Sequence, residues 1–355
     1  MKALWLDETG AALDLRESPA PEARPSSVVI DVIGVRVPAN TPDVLAGKPP
    51  YELPVPLIPG PACIGRIRQV GPDVFDLFPG QTVLCNSLLG SGETDGNADE
   101  ILIGWTGNGT ERGRDIQACW HHGSFAEQAI YPRECVIPLP GAEHFDLARL
   151  SFVSSLAIAD AGLQRGALSA GQSVVVIGAT GQLGSAAVLA ALARGAGTVG
   201  AIGRNGDRLD QLARLSARVV PVVMSGGWGE ALQKAMGGAA DLVIDLTAHM
   251  HDSGPIVTGL KCLRRGGTAV LVGGQRGDLR LPYGWVMRNR ITLLGSFMFD
   301  RQMVDATWSL VAQGLLDLDP IRAQRFTLEQ MDQAIEVAST LGGLDIAALM
   351  PNGGR

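Results

Sequence analysis

The strongest chemical signal in this 355-residue sequence is the run Ser173-Val-Val-Val-Ile177-Gly178-Ala-Thr180-Gly181-Gln182-Leu183-Gly184. A β-branched apolar stretch gives way at once to three glycines at three-residue spacing. After it comes Ser185–Arg194, whose small apolar residues predict a helix. A glycine-rich turn in that setting lets the backbone approach a pyrophosphate, while the amides at the helix N-terminus face its negative charge. With 46 glycines in the chain, the spacing alone would carry little. The order of strand, loop and helix is what predicts a dinucleotide site. Its expected contacts are Gly178, Thr180, Gly181, Gln182, Leu183 and Gly184.

A second cluster follows the next apolar run, Thr198–Ile202, which ends in Gly203-Arg204-Asn205. Folds that bind NAD place a carboxylate there to accept hydrogen bonds from the adenosine ribose, and this sequence has none at that point. Gly203 is expected to leave room for a 2′-phosphate, and Arg204, with Arg208 one helical turn on, to pair with it. NADP(H) is therefore favoured over NAD(H). Gly273 and Gly274 are expected to allow close approach of the nicotinamide end.

Other reactive side chains are sparse. Cys63, Cys85, Cys119, Cys135 and Cys262 are widely separated and form no Cys-x-x-Cys pair, which reads as reduced, mostly structural thiols in a cytoplasmic protein. His121 and His122 beside Cys119 are too crowded to share one metal ion, and no metal is expected there.

The elements that must position these residues fall into two textures. Up to about Pro140, short apolar runs such as Val28–Ile33, Cys63–Ile67 and Thr82–Leu84 alternate with proline and glycine, which predicts strands of a barrel-like β domain. Asn86–His122 is polar, glycine-rich and without clear periodicity, longer than most connections in compact domains. After Leu147 apolar strands alternate with helices. Strands are predicted at Ser173–Ile177, Thr198–Ile202, Arg218–Val222, Asp241–Asp245, Thr268–Val272 and Ile291–Leu294, the pattern of a doubly wound parallel sheet. Two further helices are expected near Met303–Ala312 and Leu328–Leu341.

Composition narrows the partners. The residues are 46% hydrophobic and 18% charged, enough to bury a sizeable core. Net charge is −7 with both signs interspersed, so no continuous positive field is available for nucleic acid. The most apolar region, Ser173–Ile202, is interrupted by Gln182, Arg194 and several glycines, and no membrane span or export signal is expected.

Taken together with further motifs, the chain resembles the medium-chain dehydrogenase/reductase family nearly end to end. The markers are Ile58-Pro-Gly60, Ile64-Gly65, Val70-Gly71, Gly80-Gln-Thr-Val83, Gly123-Ser-Phe-Ala-Glu127, the glycine loop and Gly295-Ser-Phe297. The resemblance implies an α/β protein. A GroES-like β-rich catalytic domain would comprise residues 1–146 and 296–355, and a Rossmann NADP(H)-binding domain residues 147–295.

Zinc-dependent members of that family carry a cysteine after the first long strand, a Gly-His-Glu, and a further cysteine before the cofactor domain. Here those regions read Gly34-Val-Arg-Val-Pro-Ala-Asn40, Gly60-Pro61-Ala62 and Ser151-Phe-Val-Ser-Ser155. The loop that in many relatives holds a structural zinc with four cysteines contains only Cys119. The resemblance therefore implies a protein with neither zinc site.

The segment Asn40-Thr-Pro-Asp43 with Tyr51 and Pro59-Gly60 is similar to the zinc-free quinone oxidoreductase branch, although Arg36–Ala39 departs from it. By that likeness Tyr51 would donate a hydrogen bond or proton to a carbonyl oxygen and Asn40 would help orient it. Trp120, with His121 beside it, falls where relatives place a substrate-pocket wall, suited to an apolar or aromatic carbonyl compound. The expected activity is zinc-independent hydride transfer between NADPH and a quinone, enone or other carbonyl-activated substrate. The alternatives are an alcohol dehydrogenase or carbonyl reductase with a non-metal proton donor, and a non-catalytic NADPH-binding structural or regulatory protein. The family also implies a homodimer pairing near Ile291–Phe297, an apolar edge that needs covering.

Overall fold

Ser27–Arg36 is buried along almost its whole length because other strands and the core enclose it. It pairs antiparallel with Cys63–Val70 over most of its length, with Gln128–Pro132 through its first half, and with Asp345–Leu349 at its end. Thr82–Cys85, Val136–Pro138 and Arg322–Phe326 extend this into a seven-stranded sheet. Its core contains Val28, Ile30, Val32, Phe125 and Tyr131, all fully buried. The computed structural model describes residues 1–92, 98–248, 252–274 and 277–353. The sheet belongs to a unit made of Met1–Ser154, Leu318–Leu341 and Asp345–Arg355.

The second unit, Ser155–Asp317 with Gly342–Leu344, holds a six-stranded parallel sheet. Its strand order is Val219–Val223, Thr198–Gly203, Ser173–Ile177, Ala240–Asp245, Leu263–Leu271, Thr292–Gly295. That order reverses beside the first strand in the chain, and ligands of such sheets bind beyond the carboxyl ends of the strands at the reversal. All six predicted strands are present. The fifth starts earlier than expected, at Leu263, with a register irregularity between Ala240 and Leu242.

Arg301–Ala312 forms the helix expected there, and its contacts lie in the second unit. Thr307 Oγ1 donates to the fully buried Asp160 at 2.5 Å, and Arg194 Nη2 donates to the same carboxylate at 2.7 Å. The stretch Asn86–His122, which looked irregular, carries regular structure. It contains a hairpin of Leu88–Gly90 with Glu100–Leu102, and a nine-residue helix, Glu111–Cys119. Thr110 caps that helix by accepting from Gly113 N at 2.9 Å. Among the described residues no helix is long and apolar enough to cross a membrane.

Candidate functional site

In the second unit the first strand stops at Gly178, whose φ of +83° suits glycine. The N–H groups of Gly178 and Ala179 both donate to Ile202 O, at 2.9 and 2.8 Å, which ties the loop to the neighbouring strand. Gly181 is exposed and is the N-cap of the helix Gln182–Ala193, with no side chain capping it. Gly181 thus offers no side-chain acceptor to the first turn of that helix, an arrangement suited to an anion. A β-carbon at Gly184 would stand 2.0 Å from Gly178 O, so the helix can approach the loop this closely only with glycine there. The cradle fits the pyrophosphate of a dinucleotide.

Two of the glycines expected at the cofactor are also required by their protein neighbours. A β-carbon at Gly203 would lie 2.3 Å from Thr180 Cγ2, so the Thr180 side chain occupies the space that glycine leaves. At Gly273 a β-carbon would lie 1.8 Å from Thr247 O, so neighbouring backbone already demands that glycine. Val272 N and Gly273 N both donate to Asp245 O at 3.0 Å, and the Asp245 carboxylate accepts from Thr247 Oγ1 at 2.7 Å. A β-carbon at Gly274 would meet no described atom within 4 Å.

Arg204 is exposed at the end of the second strand. Asn205 caps the next helix, Gly206–Ala213, accepting from Arg208 N at 3.0 Å. The Arg208 guanidinium lies against the turn at Gly342-Gly343. That turn was not foreseen from the sequence, because Gly342 is remote along the chain from the motif it touches. Ser155 was missed as well. Its hydroxyl is fully buried and finds no hydrogen-bond partner among the described residues.

In the first unit the two proposed chemical residues meet. Asn40, the N-cap of the short helix Thr41–Leu45, donates from Nδ2 to Tyr51 Oη at 2.8 Å. Tyr51 is half-buried against the core of that unit. Its segment is held from the loop region: Glu52 N donates to Thr106 Oγ1 at 2.9 Å, and Gly107 N donates to Glu52 O at 2.9 Å.

The two pocket-wall candidates are otherwise engaged. His121 Nε2 lies 2.8 Å from Pro56 O and its Nδ1 3.3 Å from Gln117 O, so both ring nitrogens face backbone carbonyls. The Arg24 guanidinium covers one face of Trp120 at 4.3 Å from the ring centre. His122 accepts from Ile58 N at Nδ1, 3.1 Å. Its ring stands edge-on to Trp5. Burial, with a smaller push from His121, lowers its pKa to about 4.

The places where zinc ligands would sit do not fit the ion. Pro61 offers only its carbonyl, which accepts from Ser124 Oγ at 2.7 Å, and Ala62 is buried. Cys63, the nearest thiol in sequence, is buried against Tyr131 Oη at 3.7 Å and opposite Cys85 on the neighbouring strand. Among the described residues no group of three or more His, Cys, Asp or Glu side chains could hold a metal.

Two family models match the chain: "Alcohol dehydrogenase GroES-like domain" over residues 24–141 and "Zinc-binding dehydrogenase" over residues 183–313. An NAD-dependent alcohol dehydrogenase of Sulfurisphaera tokodaii is 23% identical, covering 99% of this chain and 100% of its own. An alcohol dehydrogenase of a Moraxella species is 28% identical over 88% of this chain and 89% of its own. Among solved structures, a Sinorhizobium meliloti protein bound to NADP has a TM-score of 0.81 at 22% identity, with 99% of each chain covered. Galactitol-1-phosphate dehydrogenase from Escherichia coli has the same TM-score at 22% identity, covering 99% of this chain and 100% of its own.

Proposed function

On the premise that this chain belongs to the medium-chain dehydrogenase/reductase superfamily of oxidoreductases, we propose that it reduces a quinone, enone or similarly activated carbonyl compound with NADPH, without zinc. The nicotinamide cofactor, when bound, supplies the hydride. The glycine loop from Gly178 to Gly184 holds its pyrophosphate, and Arg204 and Arg208 meet the 2′-phosphate. The missing carboxylate after the second strand and the NADP bound in the Sinorhizobium meliloti neighbour both support NADPH over NADH.

The observation that carries the metal-free part is the hydrogen bond from Asn40 Nδ2 to Tyr51 Oη. An amide N–H can only donate, so the phenol oxygen accepts and its own proton is not spent on Asn40. Tyr51 is then oriented to donate to a carbonyl oxygen as negative charge develops there. Alcohol oxidation, the activity named for several relatives, is disfavoured as the main role. It needs an alkoxide to form before hydride leaves, and among the described residues no group of three or more His, Cys, Asp or Glu side chains could hold a zinc to stabilise one. All five cysteines are unpaired, in keeping with a reducing, cytoplasmic setting.

Tyr51→Phe tests this reading. Quinone or enone turnover is expected to fall about 100-fold, the usual scale of a general acid, while the Kd for NADPH stays within about twofold. Asn40→Ala is expected to lose about tenfold. Unchanged turnover in both variants would remove Tyr51 as the proton donor. A parent that binds NADPH and turns over nothing would point to a binding-only protein.

A further inference from the structure

The short turn Gly342–Leu344 belongs to the cofactor-binding unit although the chain on either side of it belongs to the other. Gly343 N donates to Thr180 O at 2.9 Å, which fastens the turn to the glycine loop itself. A β-carbon at Gly342 would stand 2.4 Å from Arg208 Nη1 and 2.8 Å from its Cζ. The guanidinium thus fills the volume that any side chain at 342 would need. The aliphatic part of Arg208 runs past Gly343, with its Cδ and Cγ 3.7 and 3.8 Å from the β-carbon position there. Thr180 also packs into the space left by Gly203, so loop, second strand and turn converge on one small region.

We infer that Gly342 is a positioning residue for cofactor choice: its missing side chain seats Arg208 beside the glycine loop, where the guanidinium meets the 2′-phosphate of NADPH. The inference rests on the reading that this loop holds NADPH, and it adds a determinant far from the motif in sequence. A guanidinium is a rigid fork whose value to a phosphate depends on where it is held. Gly343, with φ of +66°, requires glycine for its backbone. Gly342 has no such φ requirement; a β-carbon there would also stand 3.2 Å from Thr180 O, a few tenths of an ångström tight, and the flexible guanidinium is the group that must move furthest.

The test is a double-mutant cycle read by titration calorimetry with NADPH and NADH on the full-length protein. Gly342→Ala is expected to raise the Kd for NADPH about tenfold, equivalent to about 1.4 kcal/mol, and to leave that for NADH within about twofold. Arg208→Gln is expected to have a similar selective effect. In the Arg208→Gln background, adding Gly342→Ala is expected to change neither Kd further. A merely structural role would weaken both cofactors alike, and independent roles would add. Either result overturns the inference, as does an NADPH to NADH preference that Gly342→Ala leaves unmoved. A parent that binds neither dinucleotide overturns both this inference and the proposed function.

Discussion

His122 is held neutral in the folded protein because its ring is largely buried and its Nδ1 must accept from Ile58 N. Its pKa lies at about 4, below the ordinary 6.5, so the unfolded chain takes up the proton first as pH falls. The stabilising contribution is full above pH 6.5 and is lost between about 6.5 and 4. Comparing the parent with His122→Asn by thermal melts from pH 7 to 4 should show the parent's relative stability declining through that window. A constant difference between the two would contradict the assignment. At this scale the sequence was informative where chemistry is local. Gly178, Gly181 and Gly184 are close together and their spacing is itself the signal. Asn40 and Tyr51 were paired only through a family likeness, because nothing in their spacing announces a hydrogen bond between a helix cap and a loop phenol. Nor does the sequence reveal that Thr180 folds back into the space at Gly203.

The parallel strands were legible because each is a short β-branched run ended by glycine or a polar residue, and burial on both faces keeps the run continuous. The helix Glu111–Cys119 was not legible. Its residues are mostly charged or polar, only Gly113 and Gln117 are buried, and no glutamate stands at the third position to complete a capping box. It is held by tertiary contacts, including Gln117 Nε2 donating to Glu52 O at 3.5 Å. The last strand of the parallel sheet, Thr292–Gly295, has one edge unpaired among the described residues. Around it Met287 and Phe297 are about 60% exposed, and Leu293 is partly so. An apolar edge of this kind is an aggregation hazard unless a partner covers it, and we propose that a second copy does. Light scattering of the parent should give a dimer, and Leu293→Lys should shift it towards monomer. A parent that stays monomeric at micromolar concentration would refute the proposal.

On the scale of the whole molecule, the loop Gly178–Gly184 is written in one contiguous stretch, whereas the turn that meets Arg208 and the Asn40–Tyr51 pair are brought together only by the fold. Glu52, next to Tyr51, is anchored by Thr106 of the 86–122 segment, whose single cysteine is Cys119. A net charge of −7 and a sheet suited to a dinucleotide leave small-molecule redox chemistry as the consistent role. The most direct test is steady-state oxidation of NADPH against quinones and enones, using protein dialysed against a strong chelator and assayed for metal. The account predicts turnover undiminished by chelation, with zinc far below one per chain and NADPH preferred over NADH. Activity that vanishes on chelation and returns with added zinc would contradict it.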